Sequence, residues 1–496
     1  MPGHFQDDTI AAVATPAGEG GIAVIRLSGP DSLRIASKVF FPKSNSALET
    51  FPSHTIHLGE ICSPFLLPCG AGDLPAGRQG LGRGKNRTSN GQILDQALAS
   101  IFRAPHSYTG EDVIELSLHG GSVLAAKVLK VVLDAGARLA EPGEFTRRAF
   151  LNGKLDLTQA EAVLDLIKSK SDLSIETAMR QLSGALSGRL KNLKDRLMKL
   201  YAHMEAFLDF PEEDLEIYED QEMGRQLQSV GDEIESLIGS FQRGALLREG
   251  AILAIAGKPN VGKSSLFNAL LERDRALVSE HAGTTRDTLE EWLEIRGLSI
   301  RLVDTAGLMH EAVHPLDKMG VERAKVSLRS AQAYLFVVDG SEALGEEDRQ
   351  AFETLQAQRP VILVVNKADL KNRLDRNDCT RLLRCARNDE DDKNWIEVSS
   401  KTRQGFDQLE EKIFETLIRG RTAAGEEQIT RLRHRKALES ALQFLRRAAE
   451  AFRARASLEL VIFDLKQAID ALKELVGEIY SEDLLDVIFS EFCIGK

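Results

Sequence analysis

Short apolar runs bounded by Gly and Pro open the chain: Thr9–Ala14, Gly21–Leu27, Thr55–Ile61, Ile93–Phe102 and Val113–Leu118. Runs of that length between turn residues predict strands, and with them an α+β domain over 1–125. The pattern then changes. Leu182, Leu186, Leu190, Leu193, Leu197, Leu200, Met204 and Leu208 recur at every third or fourth position, with charged and polar residues between them. This predicts one face of a helix about seven turns long. A second helical pattern occupies Gln221–Leu247. A third series, Leu432, Leu438, Leu442, Leu445, Leu458, Val461, Leu465, Ile469, Leu472 and Val476, appears near the C-terminus. Between these helical stretches, strand-like runs alternate with helical segments: Ala251–Ala256, Leu289–Ile295, Leu298–Val303, Tyr334–Val338, Val361–Val365 and Trp395–Val398. That alternation predicts a mostly parallel sheet covered by helices. Each helical half needs an apolar partner. The expected organisation is therefore one all-α bundle, 126–248 plus 421–496, interrupted by an inserted α/β domain at 249–420, with two separate helical domains as the alternative.

Composition narrows the picture. A length of 496 residues suits several domains, and a net charge of −12 disfavours a protein that coats nucleic acid by global attraction. Any RNA contact must be regional. Arg147-Arg148 and Arg431–Lys436 are the basic clusters at hand, and they read as solvated helix surface rather than as phosphate contacts. The N-terminus lacks a basic and apolar leader, and no stretch of about 18 apolar residues occurs, so no membrane association and a cytoplasmic location are expected. The five cysteines form no C-x-x-C pair, which indicates neither a zinc ribbon nor a disulfide framework. The segment between Cys62 and Gly91 is rich in Gly, Pro and Arg without periodicity, and reads as a surface insertion. The charge-dense stretch Lys371–Lys393 reads as an exposed loop.

The candidate chemistry lies where the central strands end. Gly257-Lys258-Pro259-Asn260-Val261-Gly262-Lys263-Ser264 follows the first of them, a G-x-x-x-x-G-K-S loop whose backbone amides and helix dipole cradle phosphates. In that pattern Lys263 sits on the outer phosphates and Ser264, followed by Ser265, on Mg2+. Gly283-Thr284-Thr285-Arg286-Asp287 offers Thr285 as a second hydroxyl ligand for the metal. Asp304-Thr305-Ala306-Gly307 places a carboxylate near that metal through water and a glycine amide near the γ-phosphate. Asn366-Lys367-Ala368-Asp369 supplies a carboxylate able to accept from both the ring N–H and the exocyclic amine of guanine. Adenine presents an unprotonated nitrogen there, so the nucleotide is expected to be GTP. Ser399-Ser400-Lys401 backs the base. Leu308 stands where many regulatory GTPases carry a water-orienting Gln, so the transition state needs another source of positive charge. Asn260 offers an oxygen ligand to a monovalent cation such as K+ in that region.

These residues resemble those of the MnmE (TrmE) family, GTPases that modify the wobble uridine of certain tRNAs. The resemblance spans nearly the whole chain: DTIAAVATPAGEGGIAVIRLSG, SYTGEDVIELSLHGG, EPGEFTRRAFLNGKLDLTQAEAV, GALLREG, GKPNVGKSSLFNAL, GTTRD, DTAG, NKAD and the terminal FCIGK. It implies an N-terminal folate-binding, dimer-forming domain, a helical domain and an inserted P-loop G domain. It further implies a homodimer, a flavin-dependent partner (MnmG) in a hetero-oligomer, and an aminomethyl-type group built on uridine C5 with a tetrahydrofolate one-carbon unit. By the same resemblance, GTP contacts extend over Asn260–Ser265 (including Val261 and Gly262), Ser279-Glu280-His281-Ala282-Gly283-Thr284-Thr285, Asp304–Gly307 (including Thr305 and Ala306), Asn366–Asp369 (including Lys367 and Ala368) and Ser399–Lys401 (including Ser400). K+ is implied at Asn260, Ser279, His281 and Thr284. A 5-formyl- or 5,10-methylene-tetrahydrofolate is implied at Arg26, Glu115, Lys154 and Lys496. Cys493 has no basic neighbour except Lys496, which does not favour a reactive thiolate. Two other readings share some of these features: a GTPase switch in ribosome assembly, and a one-carbon folate enzyme with a regulatory G domain.

The chain departs from the family at the catalytic acid. The expected Glu is represented by Asp317, about 1.5 Å shorter in reach, and misplacement on that scale slows a positioned reaction. Asp317→Glu is expected to raise steady-state GTP turnover several-fold; unchanged phosphate release would remove Asp317 from the catalytic account.

Overall fold

A computed structural model describes residues 8–16, 18–44, 46–63, 92–209, 220–274, 290–304, 330–371, 373–374, 376–384, 395–418 and 427–496. Two units emerge, Met1–Leu164 with Ile479–Lys496, and Asp165–Glu478.

In the first unit the alternating runs form strands β1 (Ile10–Val13), β2 (Ile22–Ser28), β3 (Phe40–Pro42), β4 (Thr55–Ser63), β5 (Gln92–Phe102), β6 (Val113–His119) and β7 (Arg138–Leu139). They make one sheet in the order β3-β4-β5-β6-β2-β1-β7, antiparallel except for the β1–β7 pair. Helices α1 (Ser32–Val39) and α2 (Ser122–Asp134) belong to the same hydrophobic cluster as one sheet face, where Ile25, Leu27, Ile101 and Leu116 meet Ile35, Val128 and Val132. Because side chains alternate across a strand, Arg26 and Glu115 fall on the other face. The expected boundary at 125 cuts α2, whose buried face needs the sheet, so the N-terminal unit continues past it. Two short helices follow, α3 (Glu144–Leu151) and α4 (Leu157–Lys168).

The arginines Arg147 and Arg148 on α3 overturn the solvated-surface expectation. Both are buried and ion-paired. Arg147 reaches Glu482 at 2.6 Å and Asp486 at 2.9 Å, on the last helix of the chain. Arg148 donates to Asp8 Oδ1 (2.5 Å), Asp8 O (3.0 Å), Glu144 Oε1 (3.0 Å) and Glu111 (3.2 Å), while Arg138 braces Asp8 and Glu144 from the other side at 2.7 and 2.6 Å. A sequence shows the two cations and the neighbouring Glu144, but not that Asp8, Glu111, Glu482 and Asp486 are brought to them from 37 to 339 positions away.

In the second unit, α5 (Asp172–Leu182) precedes the long helices α6 (Ala185–Asp209) and α7 (Asp220–Glu249). A six-stranded sheet comes next: β8 (Ala251–Ala256), β9 (Glu290–Ile295), β10 (Leu298–Asp304), β11 (Ala333–Asp339), β12 (Val361–Asn366) and β13 (Trp395–Glu397). Its order is β13-β12-β11-β8-β10-β9, with β9 alone antiparallel. Among the described residues its helices are α8 (Lys263–Asp274), α9 (Glu346–Gln356), α10 (Arg376–Arg384) and α11 (Phe406–Ile418). The central strands β8, β11 and β12 are apolar at nearly every position because both faces are covered. Leu253 and Ile255 pack with Leu266, Leu270 and Ile413; Ala254 and Ala256 share a cluster with Phe352, Cys379 and Leu382. The last two residues correct the loop expected over Lys371–Lys393. Residues 376–384 form α10 and bury Cys379 and Leu382, an apolar stripe that dense flanking charge conceals.

Two further helices, α12 (Leu432–Arg453) and α13 (Leu458–Val476), lie against α6 and α7. Leu190, Leu193, Leu197 and Leu200 of α6 and Val230, Ile234 and Leu237 of α7 share one core with Leu438, Leu445, Leu465, Ile469 and Leu472. Arg431 is also paired, with Asp165 at 2.6 Å, and Arg433 donates to the carbonyls of Glu474 and Leu475. Neither is free helix surface. The β9–β10 hairpin meets the helical part directly: Leu173 N donates to Gly297 O at 3.1 Å, and Lys170 lies 3.8 Å from the Trp292 ring centre. The chain closes in the first unit with α14 (Glu482–Ser490), whose Leu485, Ile488 and Phe489 pack on Phe150, Leu157 and Leu164. No described helix is long and apolar enough to cross a membrane.

The ion network of the first unit makes its stability depend on pH. Burial alone raises the pKa values of Asp8 and Glu144, but hydrogen bonds from Arg138 and Arg148 outweigh it and hold both below their ordinary 3.8 and 4.5. A depressed carboxyl pKa stabilises the folded state above the unfolded value, and that contribution is lost as pH falls through the folded one. Urea unfolding of this unit is expected to show loss of stability below about pH 4.5. Arg148→Met, which leaves the buried Glu144 and the partly buried Asp8 and Glu111 short of a partner, is expected to cost about 3 kcal/mol near neutral pH and to weaken that pH dependence.

Candidate functional site: a glycine-rich loop latched to the end of β12

The carboxyl ends of β8, β10, β11 and β12 lie along one sheet edge, where ligands of parallel sheets bind. Asp304 at the end of β10 is in register with Ile255 near the end of β8. From β8 the chain turns through 257–262 into α8. Gly257 has φ 144° and Gly262 has φ 95°; a Cβ would lie 2.3 Å from Val337 O at the first and 2.3 Å from Asn366 Nδ2 at the second. Both glycines are thus required by close backbone approach as well as by conformation. Asn260, exposed at the tip, also has a positive φ of 65°. Lys263 is buried at the helix start, and its ammonium donates to the carbonyls of Gly257 (2.9 Å) and Lys258 (2.6 Å). That fold-back holds the charge inside the concavity of the loop. Ser264 and Ser265 are exposed in the first turn of α8.

The N-K-A-D residues are tied to this loop. Asn366, 1% exposed, donates from Nδ2 to Val261 O at 3.0 Å and accepts on Oδ1 from Ser400 N (3.2 Å) and Ser400 Oγ (3.0 Å). Lys367, at φ 65°, donates to Asn260 O at 3.1 Å. Asp369 is exposed and accepts from Ser399 Oγ at 2.6 Å, and that hydrogen bond, from a fully buried serine, holds its carboxyl below the usual range. Ala368 N donates to Val398 O, joining β12 to the Ser399-Ser400-Lys401 turn. A carboxylate kept ionised and turned outward suits a ligand edge with two donors.

One participant escaped the sequence reading. Asp339, the last residue of β11, pairs with Lys367. The signal was present, a carboxylate closing an otherwise apolar strand, but the strand was expected to end at Val338. Ser279, Glu280, His281, Ala282, Gly283, Thr284, Thr285, Thr305, Ala306, Gly307 and Asp317 lie outside the described residues, as does the Asp304 side chain.

In the first unit, Arg26 and Glu115 face each other across β2 and β6, with Nε donating to Oε1 at 2.8 Å. The guanidinium lies 5.7 Å from the ring centre of Tyr108 and 5.6 Å from that of Phe145, and Nη1 donates to Gly495 O at 3.4 Å. The C-terminal tail is docked beside them: Ile494 bridges to Pro142, Gly143 N donates to Cys493 O, and Phe145 N donates to Lys496 O at 3.2 Å. Lys154 is exposed and donates to Pro105 O at 3.1 Å, beside the loop that carries Tyr108. Burial raises the Tyr108 pKa, and its hydroxyl bonds to Thr146 Oγ1 at 2.9 Å. Tyr108 and Phe145 were not singled out from sequence, although both lie in quoted motifs.

The family model described as "MnmE helical domain" matches residues 157–493, and "GTP-binding protein TrmE N-terminus" matches 9–154. The tRNA modification GTPase MnmE of Moorella thermoacetica is 43% identical over 492 residues, covering 99% of this chain and 100% of its own. That of Thermoanaerobacter pseudethanolicus is 40% identical over 490 residues, with 99% of each chain covered. A crystal structure of Aquifex aeolicus Era bound to GDP.AlF4- is 27% identical over 39% of this chain and 66% of that one, at a TM-score of 0.26, too low to bear on the fold. With two family models spanning it almost end to end and full-length relatives at this identity, the chain belongs to the MnmE (TrmE) family.

Proposed function

We propose that this chain hydrolyses GTP and acts in tRNA modification, adding an aminomethyl-type group to C5 of the wobble uridine of certain tRNAs. It does so with a flavin-dependent partner and a tetrahydrofolate-derived carbon, as a homodimer in the cytoplasm. The observation that carries this reading beyond a generic GTPase is the Arg26–Glu115 pair bonded to the chain's own C-terminal tail. A ribosome-assembly switch shares the G-domain motifs but has no use for that arrangement.

At the nucleotide edge Lys263 neutralises the outer phosphates, the amides after Gly257 hold their oxygens, and Asp369 accepts from the guanine ring N–H and exocyclic amine. The glycines that a Cβ would force apart from Val337 and Asn366 fit a phosphate chain lying against bare backbone. Ser264 and Thr285 would hold Mg2+, and Asn260, Ser279, His281 and Thr284 would hold K+; the chemistry these ions would supply is positive charge beside the phosphate oxygens. Asp317 orients the attacking water. In the N-terminal unit Arg26, Lys154 and Lys496 attract a polyanionic folate tail, and Glu115 accepts from the pterin edge. The four-part division 1–125, 126–248, 249–420 and 421–496 names the functional modules, while in packing the first extends to Leu164 and takes in Ile479–Lys496.

Two measurements test the reading. Asp369→Asn is expected to weaken GTP binding by about 10³-fold or more, because the amide cannot accept both guanine donors; an unchanged affinity in a fluorescent-nucleotide titration places the base elsewhere. Mass spectrometry of tRNA from cells with and without the gene is expected to show loss of the C5-modified wobble uridine. Unchanged modification overturns the function.

A further inference from the structure

β11 reads Ala-Tyr-Leu-Phe-Val-Val-Asp and is buried along its whole length. A carboxylate at its end, 8% exposed, persists only if its oxygens are satisfied. They are. Oδ1 accepts from Ser341 N at 2.9 Å and Ser341 Oγ at 2.7 Å, and Oδ2 accepts from Lys367 Nζ. Burial pushes the Asp339 carboxyl up, but the hydrogen bonds from Lys367 and Ser341 outweigh it and keep the group ionised. Asp339 also lies opposite Asn366 in the β11–β12 register, and Gly340 N donates to Asn366 O at 2.9 Å. The same Lys367 ammonium donates to Asn260 O in the phosphate loop. One carboxylate therefore stands behind the cation that joins the base-reading strand end to the loop tip.

We propose that Asp339 is a positioning residue for guanine-nucleotide binding, fixing the Lys367 ammonium and through it the Asn260 carbonyl. A lysine has four rotatable bonds, and holding it in one arrangement beforehand removes an ordering cost that the nucleotide would otherwise bear. The loop tip and the base-reading residues are then presented at a fixed separation. The inference rests on the assignment of Asn366–Asp369 to guanine.

The test uses the full chain, with a fluorescent GDP analogue as probe and melting of the nucleotide-free protein as a control. Asp339→Asn is expected to weaken GDP binding about tenfold through faster dissociation, and to raise KM for GTP more than it lowers kcat. Asp339→Glu is expected to recover part of the loss. In a Lys367→Met background, Asp339→Asn is expected to add less than about twofold, since residues acting through one contact are not additive. Ser341→Ala loosens the same carboxylate without leaving a charge unpaired, and is expected to speed dissociation about twofold in the wild-type background only. It decides the matter should Asp339→Asn fail to fold, and its silence then overturns the proposal. An Asp339→Asn chain that binds GDP like wild type overturns it, and so does an equal loss in both backgrounds, which marks a purely structural role. Wild-type chain that does not bind GDP overturns the guanine-site assignment and this inference together.

Discussion

Two consecutive carbonyls of the phosphate loop, Asn260 O and Val261 O, accept from two consecutive residues at the end of β12, Lys367 and Asn366. The nucleotide edge depends on this latch. A phosphate cradle made of backbone amides works only if the loop holds its shape, and a loop with three positive-φ positions has little of its own to hold it. The latch supplies an external frame, and the approach is so close that any side chain at Gly262 meets Asn366. It also joins the two halves of the proposed nucleotide site, since one end of the latch is the G-x-x-x-x-G-K-S loop and the other precedes Asp369 by two residues.

Buried charge is handled in the same manner elsewhere. Asp339 is satisfied at both oxygens, and Arg148 is enclosed by Asp8, Glu111 and Glu144. A buried cation or carboxylate with its partner removed is more costly than the pair is favourable. Such groups therefore fix the relative placement of the elements that carry them. In the first unit they tie α3 to the chain start and, through Arg147, to α14, the helix that delivers the C-terminal tail to Arg26.

Periodicity made much of this legible. The strands of both sheets, apart from the short β3 and β7, and the α6, α7, α12 and α13 series follow from runs and spacings that depend only on neighbours in sequence. The phosphate loop and N-K-A-D motif were equally visible, because each needs its residue types within a few positions. The misreadings share one cause. Arg147, Arg148 and Arg431 looked like solvent-facing cations because, Glu144 apart, their carboxylates lie far away in the chain, and α10 looked like a loop because its two buried residues are surrounded by charge.

By itself, the sequence determined the class of the longer strands and of the bundle helices, the family, and the motifs proposed to meet a guanine nucleotide, since all of these are encoded in local order. The tertiary structure alone decided which charges are buried, that Asp339 stands behind Lys367, and that the last residues of the chain lie against Arg26. Those depend on which strand ends and helix faces meet, and such meetings are set by long-range packing of apolar surfaces that no local pattern specifies.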